Sequence, residues 1–348
     1  MEQERHFVGL DVSQRETSVC VIDGAGRTAW QGRCASDPEA IAAVLRARAP
    51  GLVRVGLESG PLSTWHWHGL AEKGLPAVCL DARHAKAVLS MRPNKSDAND
   101  AHGLAQIVRM GWYREVRVKG ADAHLIRTLL GARAQLVAMR RDLSNQVRGV
   151  LKTFGLVVGA VSKGGFEARV RELVADAPAL ATIVEALLAL WRATGEQVAA
   201  LHKRLLDHAA ADEDVRRLMT APGVGAVTAV AFAAAVEDPA RFRRSTSVGA
   251  YFGLTPRRHQ SGEVDRAGRI SKCGDPLVRS YLFEAANAVL TRVQKWCGLR
   301  SWGVRLARRV GANKAKVAVA RKLAVVLHRM WRDKQEFRWA AEPKEVAV

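Results

Sequence analysis

The order of short apolar segments in the first hundred residues constrains this chain most. "RHFVGLDV" (5–12) is a brief apolar run ending near Asp11, and "TSVCVIDGAGRTAWQGRCA" (17–35) holds two further strands joined by a Gly-containing turn. "DPEAIAAVLRARAP" (37–50) combines an N-cap aspartate, proline at the first helical position and helically spaced apolar residues, then stops at Pro50-Gly51. "LVRVGLES" (52–59) returns as a strand with Glu58 at its C-terminal end. "LSTWHWHGLAEKG" reads as a helix, "LPAVCLDA" as a buried strand, and "NKSDANDAHGLA" (94–105) opens the next helix. The order β-β-β-α-β-α-β-α predicts a mixed sheet with helices packed on it, an α/β domain.

The chain then changes character twice. Residues 122–154 and 178–209 read as long helices, and Val184, Leu188, Trp191, Val198 and Leu205 fall on one a/d seam, with Gly195 and His202 at the remaining positions. That pattern fits a coiled coil or a plain helical hairpin, with "GLVVGAVSKGG" (155–165) as its connection. From about 212 the texture becomes Gly- and Arg-rich: "TAPGVGAVTAVAFAAAV" (220–236) is a glycine turn before an apolar helix, and 251–280 is a long basic stretch. Two more helices close the chain. The segments are 1–118, 119–211 and 212–348.

Charge follows these segments. Residues 1–110 carry 13 Lys and Arg against 12 Asp and Glu, whereas residues 241–348 carry 24 against 8. So basic a final third is the electrostatic footprint of a polyanion partner. The cations are spread among Gly, Trp and turn residues instead of lying along one amphipathic helix, which favours nucleic acid over a membrane surface. Five cysteines without a C-x-x-C pair argue against a zinc site or a disulfide framework and fit a reducing cytoplasm. "MEQERHF" is not a signal peptide, and the longest nearly apolar run, 226–236, is too short to span a bilayer.

In a chain so rich in base, the acids near the predicted sheet stand out. Asp11 ends the first strand, Glu58 ends the fourth, and Asp97 and Asp100 open a helix three residues apart, about 5–6 Å at Cβ. One reading is an ordinary helix start, with Ser96 as N-cap and acids favoured by the helix dipole. The other is a convergent set of four carboxylates, which repel one another unless divalent cations neutralise them. Hard cations such as Mg²⁺ or Mn²⁺ take oxygen ligands, and paired ions are a common device for attacking phosphodiesters.

The chain resembles the DEDD insertion-sequence transposases, relatives of the Piv-type DNA invertases, some of which are guided by a bridge RNA. "VGLDVS", "LESGPLSTW" and "NKSDANDA" carry the four acids at Asp11, Glu58, Asp97 and Asp100. "PGVGAVTA" and "VGAYFGLTPRRHQSGEVDRAGRISKCGDPLVRSYL" resemble the family's C-terminal domain, whose active serine falls on Ser261. "ESG" is one residue shorter than the same stretch in many members. The resemblance implies a ribonuclease-H-like, resolvase-type N-terminal domain, a helical coiled-coil insertion and a mainly α C-terminal domain. It also implies a Mg²⁺- or Mn²⁺-dependent recombinase acting on double-stranded DNA, a structured guide RNA, and a homo-oligomer whose active site is composite.

Read without the resemblance, a serine beside a glycine is a turn residue and a poor nucleophile. Arg257, Arg258, Arg269 and Lys272 around Ser261, with Arg279 beyond, are cations suited to holding a phosphate. Gly223 and Gly225 either cradle a phosphate on backbone N–H groups or form a tight helix–helix turn. His66, His68 and His259 show no metal-ligand spacing, and Trp296, Trp302, Trp331 and Trp339 are expected in the core, the alternative being stacking on bases. The expected activity is a transposase or site-specific recombinase. Its alternatives are a metal-dependent junction-resolving nuclease that uses water, and a non-catalytic nucleic-acid-binding protein.

Overall fold

Burial on both faces sets the character of the first strand: His6–Val12 (β1) is buried along its first five residues, as a central strand must be. A computed structural model describes residues 5–91, 94–162 and 164–339. Residues 1–4, where no signal peptide was expected, and Lys163 in the 155–165 connection lie outside these. Antiparallel neighbours Glu16–Ile22 (β2) and Thr28–Ala35 (β3) follow β1. Pro38–Arg48 (α1) crosses to the parallel strand Leu52–Glu58 (β4), and Ser63–Glu72 (α2) crosses to Ala77–Leu80 (β5), also parallel. The sheet order is β3-β2-β1-β4-β5, a mixed five-stranded sheet. Asp37 starts α1 as its spacing predicts, accepting from the Glu39 and Ala40 amides at 3.0 Å each.

Period-two alternation assigns the strand residues to two layers. Val8, Leu10, Val19, Val21, Val55 and Leu57 pack with Ile41 and Leu45 of α1 and Leu70 of α2. Each such buried leucine contributes about 1.5–3 kcal/mol. Phe7, Cys20, Ile22 and Leu80 face the other layer, formed by Ala82–Leu89 (α3) and Asp97–Met110 (α4). The helix α3 goes beyond the predicted order; Asp81 caps it by accepting from the Arg83 amide at 3.0 Å.

The chain divides into two compact units, residues 1–120 and 121–348. In the second, Ala121–Thr153 (α5), Phe166–Leu173 (α6) and Pro178–Ala211 (α7) pack together. Of the predicted seam, Val184, Leu188, Trp191 and Leu205 are buried and Val198 is half-buried. The first three meet Val147 and Leu151 of α5 but also Phe166 and Val170 of α6, so a third helix closes this end of the hairpin. Gly195 lies beneath the Arg140 guanidinium, which stacks 3.9 Å above the Trp191 ring; a Cβ there would come within 2.9 Å of it.

Leu205 and Ala209 of α7 share one core with Glu213–Met219 (α8) and Ala226–Val236 (α9), so position 211/212 falls between helices of a single core. Ser247–Tyr251 (α10), Pro276–Thr291 (α11), Gly298–Val310 (α12) and Ala312–Arg332 (α13) complete the unit, with α13 buried along one full face. The basic stretch 251–280 contains an antiparallel hairpin, Pro256–Ser261 (β6) and Val264–Ile270 (β7). Trp331 is buried and donates to Asp214 at 2.7 Å, whereas Trp296, expected in the core, is 54% exposed. No described helix is long and apolar enough to cross a membrane, and none of the five cysteines is joined in a disulfide.

Candidate active site

Two glycines in adjacent strands make the first site possible. Strands β1 and β4 pair in parallel with Gly9 opposite Gly56 and Leu10 opposite Leu57, so the next residues in register are Asp11 and Glu58. Alternation puts Gly9, Asp11, Gly56 and Glu58 on the sheet face that α4 covers. The fit is tight: a Cβ on Gly9 would lie 2.1 Å from the Ala101 carbonyl oxygen, and one on Gly56 2.4 Å from the Val108 side chain. From Gly9 to Asp11 the strand climbs about 6.7 Å. From Ala101 back to Asp97 the helix retreats about 6 Å. Asp11 and Glu58 therefore rise beside the first turn of α4, which carries Asp97 and Asp100.

The reading of that turn as an ordinary helix start describes it. Ser96 caps α4, its hydroxyl accepting from the Asn99 amide at 3.2 Å. The acids also sense one another. Burial pushes the Asp11 carboxyl above the usual carboxylate range, and Asp100 and then Asp97 push it further, while Lys95 opposes them. Burial raises Glu58 too, followed by repulsion from Asp11 and Asp100, with Lys95 and Lys86 opposing. Arg33 stands 3.7 Å from Asp97. Among the described residues, no group of three or more His, Cys, Asp or Glu side chains is placed to hold one ion. The acids lie near enough to repel one another, all through oxygen donors, without a set of three placed on one ion among the described residues.

Ser261 is the last residue of β6, exposed, and paired with Val264 across a Gly262-Glu263 turn in which Gly262 adopts φ +54°. Nearly the whole hairpin is exposed on both faces. The serine hydroxyl has no hydrogen-bond partner among the described residues. Arg258 forms a bidentate pair with Asp265 at 2.8 and 2.6 Å, so its charge is already balanced. The base of the hairpin is tightly built: Gly253, Lys272 and Gly274 all have positive φ, and a Cβ on Gly274 would lie 2.1 Å from the Tyr251 carbonyl oxygen. Arg279 donates to the Phe252 and Cys273 carbonyls at 3.1 and 3.0 Å. It therefore fastens this base, a role that its place among the cations near Ser261 did not suggest. Arg257 donates to the Ser271 carbonyl at 3.2 Å; Arg269 is exposed, as is Lys272 at φ +55°.

The glycine turn before α9 separates into two environments. Gly223, at φ +75°, packs on the α11 backbone, where a Cβ would come 2.5 Å from the Ala285 carbonyl oxygen. That is the tight helix–helix turn. Gly225 is the exposed N-cap of α9, with open space where a side chain would be. His66 is buried, its Nδ1 3.0 Å from the Leu62 carbonyl oxygen, and His68 bonds the Lys119 carbonyl oxygen at 2.8 Å. The sequence reasoning passed over Gly9 and Gly56, which bring α4 close enough for its acids to meet the strand ends. A glycine inside an otherwise apolar strand was the available signal.

Comparison with known proteins adds lineage to this geometry. Residues 8–155 match the DEDD transposase family model, and residues 215–300 match the transposase model of the IS116/IS110/IS902 family. The transposase for insertion sequence element IS1111A of Coxiella burnetii is 28% identical over 341 residues, 96% of this chain and 92% of that protein. A protein of Pseudomonas aeruginosa described as "Probable family 20 transposase" is 31% identical over 243 residues, 68% of this chain and 72% of that one. The pilin gene-inverting protein of Moraxella bovis is 28% identical over 123 residues, 34% of this chain and 37% of its own length.

Proposed function

The chain belongs to the DEDD insertion-sequence transposases, and from that membership we propose that Ser261 and the four acids are the working parts of its recombinase chemistry. Transposition of an IS110-family element, a DNA strand cleavage and rejoining activity, is the function that the family carries. The family domain also implies a divalent-metal-dependent, nuclease-like site. The observation that carries the proposal is the shared face of Asp11 and Glu58, in register beside the acidic first turn of α4.

Asp11, Glu58, Asp97 and Asp100 would hold the cations, Mg²⁺ or Mn²⁺. The donor set fits such ions, because mutual repulsion of the carboxylates is what a cation relieves. When bound, the metal supplies neutralisation and polarisation of the phosphoryl oxygens. The Ser261 hydroxyl attacks a DNA phosphorus: an Oγ–P bond forms, the P–O bond to one deoxyribose oxygen breaks, and that oxygen leaves as a hydroxyl in exchange for the proton the serine gives up. The phosphoserine ester keeps the bond energy, so attack by another deoxyribose hydroxyl rejoins DNA and frees the serine. Exposure of Ser261 at a hairpin turn supports its access to a duplex. Gly225, an uncapped helix start, and the cations Arg257, Arg269 and Lys272 would bind phosphates. A structured guide RNA and a dimeric or tetrameric assembly with a shared site rest on the resemblance alone.

One observation favours a second reading. The Ser261 hydroxyl has no partner among the described residues to take its proton, which suits a nuclease that activates water at the acid cluster. Trapping wild-type protein with metal on a nicked suicide duplex separates the two. A denaturation-resistant adduct mapping to Ser261 is expected; strand cleavage without any adduct would establish the hydrolytic reading.

A further inference from the structure

We infer that only one face of the β6–β7 hairpin holds DNA phosphate, the face on which Arg257, His259 and Arg266 line up with Ser261. The inference deepens the proposed function and rests on it for the identity of the strand held. The cross-strand register supplies the geometry. Ser261 pairs with Val264, His259 with Arg266, Gln260 with Asp265 and Arg258 with Ala267. Side chains alternate between faces, so Arg257, His259 and Ser261 share one face with Val264 and Arg266. Arg258, Gln260, Asp265 and Ala267 occupy the other.

The two faces differ in charge. Within the regular register, 258–261 against 264–267, the one cation of the second face is cancelled by the bidentate Arg258–Asp265 pair; Arg269 lies beyond it, where the register shifts. On the Ser261 face Arg257, bonded to the Ser271 carbonyl, and Arg266 make no ion pair among the described residues, and His259 adds a ring N–H donor directly opposite Arg266. His259 and Arg266 stand two residues from the serine, about 7 Å along the strand, a span that an extended arginine covers. A phosphate at the Ser261 hydroxyl can thus receive a guanidinium fork in the bidentate manner arginine favours.

No apolar surface covers either face, and a two-stranded hairpin alone is marginal in water. The ion pair and the knot at the base keep it formed without a covering layer. The ribbon is left free to lie on a polyanion. Because Ser261 is on the charged face, the occupant is the backbone of duplex DNA, not RNA. Arg266 and His259 become phosphate-holding residues, while Arg258 stiffens the ribbon.

The test uses the full-length protein without metal, a short random-sequence DNA duplex and a hairpin RNA, titrated from 50 to 200 mM salt. Two variants lower the net charge by the same single unit on opposite faces: Arg266→Ala removes a cation and Ala267→Glu adds an anion. For duplex DNA, Arg266→Ala should make the slope of log K against log salt shallower by about 0.9, one phosphate contact. Ala267→Glu should leave the slope unchanged, and Arg266→Lys should keep the wild-type slope, which excludes a collapsed hairpin as the cause. Equal loss in Arg266→Ala and Ala267→Glu would show that only net charge matters and would overturn the face assignment. So would loss confined to Ala267→Glu, or loss confined to RNA. Absence of a Ser261 adduct in the wild type with the slope difference intact would remove the nucleophile and leave the binding face standing.

Discussion

At the residue scale exposed Ser261 and half-buried Asp11 respond to substitution in opposite ways. Ser261 is exposed and its hydroxyl holds no part of the fold, so Ser261→Ala should change stability by no more than about 0.5 kcal/mol. Recombination, measured as joined product from a plasmid carrying both element ends, should fall by roughly 10³-fold or more, because no other oxygen occupies the attack position. Retained recombination would remove Ser261 from the chemistry. Asp11 costs stability. Its folded carboxyl is raised above the ordinary value of 3.8, so the folded state binds more protons than the unfolded one in that window. Stability therefore falls as pH rises through the window, and the penalty persists at neutral pH. Asp11→Asn should raise the metal-free Tm at pH 7 by roughly 1–3 °C while abolishing strand cleavage. Mg²⁺ should raise the wild-type Tm more than that of the variant. A lower Tm for Asp11→Asn in calorimetry would contradict the electrostatic account.

At the element scale α13 is held by a polar contact that titrates. His328 is fully buried; its Nε2 is 2.9 Å from the Pro239 carbonyl oxygen and its Nδ1 2.9 Å from the Ser245 hydroxyl. A carbonyl only accepts, so Nε2 carries the proton and Nδ1 accepts from the serine. Burial holds the imidazole below its ordinary value of 6.5, with the Pro239 bond and Asp333 opposing and Arg332 assisting. A depressed base binds fewer protons when folded, so its contribution is complete above about pH 6.5 and is lost as pH falls below that. Urea melts at pH 5.5 and 7.5 should show lower stability at the acid value. His328→Phe should flatten that difference and cost about 1–3 kcal/mol for the polar groups left unpaired. An unchanged pH difference in His328→Phe would assign the effect to another group.

Charge belongs to the whole molecule. Residues 285–332 contain twelve Lys and Arg and no Asp or Glu, a run that includes all of α12 and α13. Arg305, Arg308 and Arg309 of α12 and Lys314 of α13 are exposed and make no ion pair among the described residues, though Arg305 donates to the Ser301 hydroxyl at 2.8 Å. DNA binding should therefore weaken steeply with salt. A variant with Arg305, Arg308 and Arg309 changed to Ala should lose about 0.9 of slope for each phosphate contact removed. Filter binding or fluorescence anisotropy from 50 to 200 mM salt reads this directly. A slope equal to the wild type's would take α12 out of the interface.

The sequence alone determined the elements whose cause is local. The N-cap aspartate of α1, the Ser96 cap of α4, the apolar runs of β1, β4 and β5 and the seam of α7 all follow from spacing over a few residues, and each stands where its period put it. The acids at strand ends were legible for the same reason. Tertiary structure decided what depends on register and on close approach. Asp11 and Glu58 share a face because Gly9 pairs with Gly56, a contact that joins residues 47 apart in sequence. The basic stretch around Ser261 carried no strand signal in the sequence because its strands have no apolar alternation: no layer covers them among the described residues, and only cross-strand pairing makes them a hairpin. The same pairing gave neighbouring arginines different work. Arg258 faces Asp265, Arg279 reaches two carbonyls at the hairpin base, and Arg266 is left facing outward beside His259. Composition counts such charges alike, but their use depends on which partner the fold brings within reach.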